Sequence, residues 1–204
     1  MSLEGKALSF GYRRKDRAVL DRVNLTLNPG ERLGLTAPSG RGKTTLCKLL
    51  AGYEKPKGGE VLLDGRPLAH GRGYCPVQMI WQHPETVVDP LMKLGDTLAE
   101  GWPVEQRVLD GLHIEPGWLE RYPTELSGGE LQRFCIARAL GPATRFLLCD
   151  EISTMLDLVT QAQIWNFLLE EAARRELGLL IVSHTPALLE RLCTRTQPLD
   201  PSPV

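Results

Sequence analysis

The residues Ala37-Pro38-Ser39-Gly40-Arg41-Gly42-Lys43-Thr44-Thr45 have the types and spacing to hold a phosphate chain. An apolar run, Arg32-Leu33-Gly34-Leu35-Thr36, precedes them and reads as a buried strand. Residues 46–52 follow with helical apolar spacing and a glycine stop. In a strand, glycine-rich loop and helix of this kind, backbone N–H groups and the helix N-terminus together attract an anion. Gly40 and Gly42 carry no Cβ, so phosphate oxygens can approach the backbone closely. Lys43 would bring a full charge to the β- and γ-phosphates of a nucleotide, and Thr44 would offer a hydroxyl to Mg²⁺. The pattern G-x-x-x-x-G-K-[ST] is met except at Ala37, which stands where the first glycine belongs. If the backbone there must adopt a positive φ, alanine costs roughly 1–2 kcal/mol.

A second group with chemical capacity is Asp150-Glu151, at the end of the apolar run Phe146-Leu147-Leu148-Cys149. Open α/β sheets place their ligands at the C-terminal ends of the strands. Asp150 is expected to hold Mg²⁺, directly or through water, and Glu151 to polarise an attacking water as general base. A third group is Leu126-Ser127-Gly128-Gly129-Glu130. Ser127 can cap the helix that follows, with Glu130 at capping-box spacing. The two glycines beside that cap also leave a helix N-terminus open to an anion.

These groups need elements to carry them. Residues 1–35 read as strands: 7–12, a charged turn at 13–17, the alternating run 19–27, a turn at 28–31, then 32–36. Residues 60–65 and 77–82 read as further strands. Composition shifts at His83, and from Pro84 to Tyr122 short helices at 94–99, 104–112 and 118–121 are separated by Pro and Gly. The pattern then resumes with a helix over 129–140, a strand over 145–150, a long helix over 157–176, a strand over 177–182 and a last helix over 186–193. Alternating strands and helices predict a mostly parallel sheet with a helical insertion. The tail over 198–203 is expected to fray.

Whole-chain properties narrow the function classes. A length of 204 residues suits one or two compact domains, and a net charge of −1 gives no reason to expect a nucleic-acid partner. The five cysteines, Cys47, Cys75, Cys135, Cys149 and Cys193, form no C-x-x-C pair, so buried thiols in a reducing cytosol are expected. The N-terminus has no apolar signal segment, and no apolar run approaches bilayer-spanning length.

Taken together, Ala37–Thr45, Gln82, Leu126–Glu130, Phe146–Glu151 and His184 resemble the nucleotide-binding subunit of an ABC (ATP-binding cassette) transporter over nearly the whole chain. The likeness is greatest to the nickel, dipeptide and oligopeptide importers. It is carried by Arg121-Tyr122-Pro123-Thr124-Glu125-Leu126-Ser127-Gly128-Gly129, by Trp81-Gln82-His83-Pro84 with Asp89-Pro90-Leu91-Met92, and by Leu156-Asp157-Leu158-Val159-Thr160-Gln161-Ala162. The resemblance implies an α/β P-loop NTPase (RecA-like) core with an antiparallel β subdomain and an inserted helical subdomain. The whole chain would be a single nucleotide-binding domain, with residues 1–83 and 135–204 as the core and 84–134 as the helical signature subdomain.

The resemblance also assigns roles. Tyr12 would stack on adenine, unless it is a strand aromatic of the core. Gln82 would reach Mg²⁺ and the water, and His184 would contact the γ-phosphate. Asp157 would lie at a dimer seam, or act only as a helix N-cap. Ser127, Gly128 and Gly129 would contact ATP bound to a second cassette, homologous or identical. ATP and Mg²⁺ are the implied ligands. Permease subunits are the implied membrane partners, with a solute-binding protein engaged indirectly. The implied location is cytoplasmic, peripheral on the inner face of the cell membrane, with Val87, Val88, Leu91 and Met92 suited to a docking surface.

The chain departs from the family pattern at Ala37, at Glu130 where Gln is usual, and at Ile152 where Pro is usual. It ends about twenty residues after His184, so further strands and a C-terminal extension are expected to be missing. Two other readings stay open: a non-hydrolysing regulatory cassette of a heterodimer, and a soluble ABC ATPase. Long coiled coils or a second cassette, expected of the latter, do not fit in this length.

Overall fold

The computed structural model describes residues 1–12, 18–68, 74–154 and 156–199; the expected turn at 13–17 and the end of the tail lie outside them. The strands are β1 (Leu3–Phe10), β2 (Leu20–Leu27), β3 (Arg32–Thr36), β4 (Gly58–Leu63), β5 (Arg66–Pro67), β6 (Val77–Ile80), β7 (Phe146–Asp150), β8 (Gly178–Val182) and β9 (Arg195–Pro198). The helices are α1 (Lys43–Leu50), α2 (Leu94–Ala99), α3 (Gln106–Gly111), α4 (Gly128–Ala139), α5 (Leu158–Arg175) and α6 (Pro186–Leu192). Short 3-10 turns at Pro84–Thr86, Pro116–Glu120 and Pro123–Glu125 break up the insertion. Each begins on a proline, whose missing N–H and fixed φ suit a first helical position.

The strands form two sheets. One is antiparallel, in the order β2-β1-β4-β5, and one is parallel, in the order β6-β7-β8-β3-β9. The parallel sheet is covered on both faces, which is why its strands read as unbroken apolar runs. Alternate residues go to opposite sides. Leu147, Cys149, Leu179 and Ile181 join the core shared with the insertion, α4 and α5. Phe146, Leu148, Leu180 and Val182 join the core between this sheet, α1 and the antiparallel sheet. All five cysteines are free thiols, and burial raises those of Cys135, to about 12, and Cys193, to about 11.

Several expectations are corrected. The first strand starts at Leu3 and stops at Phe10, leaving Tyr12 beyond its end. Residues 195–198, of which Pro198 was expected to begin a fraying tail, form the edge strand β9, whose pairs with β3 run from Leu33↔Arg195 to Thr36↔Pro198. Arg195 secures that edge by donating to Glu31 at 2.7 Å and to the Thr26 carbonyl at 2.9 Å. Helix α4 runs without interruption across residues 134 and 135.

Ion pairs to a buried carboxylate tie the insertion to the core. Glu171 on α5 is fully buried, and its carboxylate accepts from Arg174 at 3.1 and 2.8 Å and pairs with Arg107 of α3 at 2.9 Å. The antiparallel sheet depends on Gly59, where φ is +77° opposite a register shift in β1. A Cβ there would collide with the carbonyl oxygens of Lys6 and Ala7. Gly59→Ala should therefore lower unfolding free energy by about 2–5 kcal/mol, read as a shifted urea midpoint. An unshifted midpoint would contradict this packing.

Candidate functional site

The phosphate loop leaves the C-terminal end of β3 and enters α1 through Gly42, which has φ 86° as N-cap. Lys43 is 5% exposed, and its Nζ donates to the carbonyls of Ala37 at 2.8 Å and Pro38 at 3.1 Å. Gly40 also has a positive φ, 72°, and an added Cβ would meet nothing there, so the backbone is open to a ligand. The non-glycine residues with positive φ, among those described, are Ala7, Arg22, Asp64, His113, Glu151 and Glu176. Ala37 is not one of them, so the missing first glycine carries no strain cost. A cavity of about 380 Å³ opens over the loop, lined by Tyr12, Val19, Ser39, Gly40, Gly42, Lys43, Thr44, Thr45, Gln82 and Glu151. Pro38, Ser39, Gly40 and Arg41 are exposed. Tyr12 is 56% exposed at the mouth, with its hydroxyl 3.1 Å from Thr45 Oγ1, so it is not a core aromatic.

The remaining groups arrive from the same ends of neighbouring strands. Gln82 follows β6, Asp150 ends β7 with Glu151 just after it, and His184 follows β8. Glu151 is where they converge. His184 Nε2 lies 2.6 Å from its Oε1, Lys43 Nζ lies 4.0 Å from the same oxygen, and Gln82 Nε2 donates to Oε2 at 3.3 Å. Glu151 has φ 53°, a left-handed conformation that costs a residue with a Cβ roughly 1–2 kcal/mol. Its N–H donates to the Val182 carbonyl at 3.1 Å, and its carbonyl accepts from Thr154 N at 3.3 Å and Thr154 Oγ1 at 2.9 Å. Thr154 was not singled out from sequence; its position three residues after the acid, at turn spacing, was the available signal.

Asp150 is 2% exposed and its Oδ1 has no hydrogen-bond partner among the described residues. Burial raises its carboxyl above the ordinary range, the Glu151 charge adds to this, and the Thr44 hydroxyl and Lys43 oppose it. An orphaned buried oxygen beside a threonine hydroxyl, with the Gln82 amide near, is an all-oxygen donor set that fits a hard divalent cation.

Ser127 lies elsewhere. It caps α4, its Oγ accepting from Glu130 N at 3.3 Å. Glu130 Oε2 in turn accepts from Ser127 N and Ser127 Oγ, both at 2.7 Å. These hydrogen bonds hold the Glu130 carboxyl below its usual range. Gly128 and Gly129 open the helix, and neither they nor Ser127 line the cavity around Lys43. Asp157 caps α5 by accepting from Val159 N and Thr160 N at 3.0 Å each, next to the exposed Leu158 and Val159.

A second cavity, about 300 Å³, lies between core and insertion and was not anticipated. Tyr53, Trp81, Val87 and Arg138 are among its walls, and Tyr53 meets Trp81 edge-on at 5.2 Å. Of the apolar residues expected on a docking surface, Leu91 is 86% exposed, whereas Val88 is a core residue at 8%.

The sequence matches the ABC transporter family over residues 20–154. It is 35% identical to a nickel import ATP-binding protein of Rhodospirillum rubrum, over 96% of this chain and 77% of that one. It is 32% identical to a putative peptide import ATP-binding protein of Brucella ovis, over 96% of this chain and 67% of that one. A solved structure of an ATP-binding subunit of an ABC transporter superposes with a TM-score of 0.84 at 26% identity, covering 98% of this chain and 86% of the other.

Proposed function

This chain belongs to the ABC transporter family, and from that membership we propose that it is the ATP-hydrolysing subunit of an importer for nickel, metal complexes or peptides. The observation that carries the catalytic part of this reading is the convergence of Lys43, Gln82 and His184 on Glu151 above the phosphate loop. ATP lies with its phosphates against the N-terminus of α1, and Lys43 turns from the loop carbonyls to the β/γ-phosphates. Thr44, Asp150 and Gln82 would hold Mg²⁺, which when bound supplies charge neutralisation between the β- and γ-phosphates. Gln82 and Glu151 orient a water, whose oxygen attacks the γ-phosphorus while its proton passes to the Glu151 carboxylate. The bond to the β–γ bridging oxygen breaks and ADP leaves with that oxygen. His184 donates to the γ-phosphoryl as its charge develops.

Ser127, Gly128 and Gly129 are outside this cavity, which supports a head-to-tail pair in which each cassette completes the other's site. A solute-binding protein would act through the membrane subunits. Among the described residues no helix is long and apolar enough to cross a membrane. That supports recruitment by permease subunits, seated at the groove of Tyr53 and Trp81 and at the exposed Leu91.

The test of this reading is co-purification with the cognate permeases, with ATPase activity measured on the complex. Leu91→Asp and Tyr53→Asp should each weaken permease retention about tenfold or more, with ATP affinity of the isolated chain unchanged. Full retention by both variants would contradict the docking assignment. Absence of ATP turnover in the intact complex would contradict the enzymatic one.

A further inference from the structure

We infer that the Glu151 carboxylate competes with the γ-phosphate of ATP for the same donors, and that Ile152 is the positioning residue that lets it do so. This deepens, and rests on, the reading of the cavity as an ATP site. His184 Nε2 and Lys43 Nζ, the side-chain nitrogens assigned to the γ-phosphoryl group, and Gln82 Nε2 beside them all face the Glu151 carboxylate, at 2.6, 4.0 and 3.3 Å. A carboxylate and a phosphoryl group offer these donors the same thing, anionic oxygens. Lys43 gives its other hydrogens to the Ala37 and Pro38 carbonyls. These donors are therefore satisfied within the chain. A nucleotide that ends at its β-phosphate leaves the Glu151 contacts in place. One that carries a γ-phosphate must evict the carboxylate, because two anions cannot share the same donors without repulsion.

The reach of Glu151 depends on its backbone. Its φ of 53° lies in the left-handed region. Such strain persists only where surrounding contacts over-determine it. Here those contacts are the Val182 carbonyl, the Thr154 amide and hydroxyl, and the anion contacts of the side chain. When a γ-phosphate takes over the donors, part of that restraint is gone and the backbone can relax, which eases eviction. The following residue decides whether this conformation is open. A proline at 152 would push residue 151 toward extended backbone. Ile152 imposes no such limit, and its side chain, 3% exposed, anchors the segment in the core beneath. The pair thus sets how strongly the cassette discriminates between ATP and ADP.

The experiment is equilibrium titration of the full chain with ATP and with ADP, in EDTA so that nothing is hydrolysed. Protein concentrations are kept where light scattering shows a monomer. Ile152→Pro keeps the carboxylate but moves its backbone, and should raise ATP affinity about tenfold relative to ADP. Ile152→Val keeps both backbone freedom and core packing, and should retain the wild-type ratio. Glu151→Asp keeps the charge but is one methylene short of His184, and should raise the ratio in the same direction; it carries the test if Ile152→Pro does not melt cooperatively. A ratio within about twofold of wild type in the folded Ile152→Pro or Glu151→Asp chain, with ADP still bound, would overturn the inference and leave the ATP site standing. Binding of neither nucleotide by the wild-type chain would instead remove the ATP-site reading, and this inference with it.

Discussion

Lys43→Ala lowers ATP affinity by roughly a hundredfold to a thousandfold. Lys43 is the only cation among the described residues that line the phosphate cavity, and it is 5% exposed. A charge-assisted hydrogen bond to phosphate in such a setting is worth more than an exposed one, because little water competes for it. The backbone N–H groups of the loop remain, so some affinity for the α- and β-phosphates survives. Alanine is a good first helical residue, so α1 is not expected to unravel. The two carbonyls that Lys43 now engages belong to Ala37 and to Pro38, which is exposed, and can turn to water. Fluorescence titration checks the outcome, with a melting curve as control for folding. An unchanged affinity would mean that the loop does not hold the phosphates.

Glu151→Gln is the second large effect. Glutamine matches glutamate in shape and can keep one of the contacts to His184 and Gln82 through its single amide oxygen, but it cannot accept the proton of the attacking water. Turnover should fall about 10²- to 10⁴-fold, with ATP still bound. ATP that is bound and not cleaved holds two cassettes together, so size-exclusion chromatography with ATP should show a dimer that the same chain lacks with ADP. Wild-type turnover in this variant would remove Glu151 from the role of base.

Much of this site was legible in residue order because its logic is local. The loop from Ala37 to Thr45 is continuous, and its flanking strand and helix follow from apolar spacing. Asp150 and Glu151 end an apolar run, and a run of that kind can only be a covered strand of an α/β sheet or a buried helix segment. The capping box of Ser127 and Glu130 could be read from their spacing alone, as could the cap at Asp157. What stayed hidden depends on distant pairing. The edge strand β9 has the polar sequence Arg195-Thr196-Gln197-Pro198, and only its hydrogen bonds to β3 make it a strand. Glu171 lies seven residues after Ile164, at apolar-face spacing, which hinted at burial; its partner Arg107 comes from another element and could not be inferred. The groove of Tyr53 and Trp81 joins residues far apart in the chain. The left-handed backbone of Glu151 had no sequence signal beyond the isoleucine that follows it.

The measurement that tests the central claim most directly is single-turnover release of inorganic phosphate from ATP by the assembled transporter, wild type against Glu151→Gln in this chain alone. The account predicts phosphate release by the wild-type assembly, lost at this chain's site in the variant while its ATP stays bound. If the wild-type and variant assemblies release the same amount of phosphate, at the same rate, this chain binds ATP without cleaving it and the hydrolytic role assigned to Glu151 is wrong.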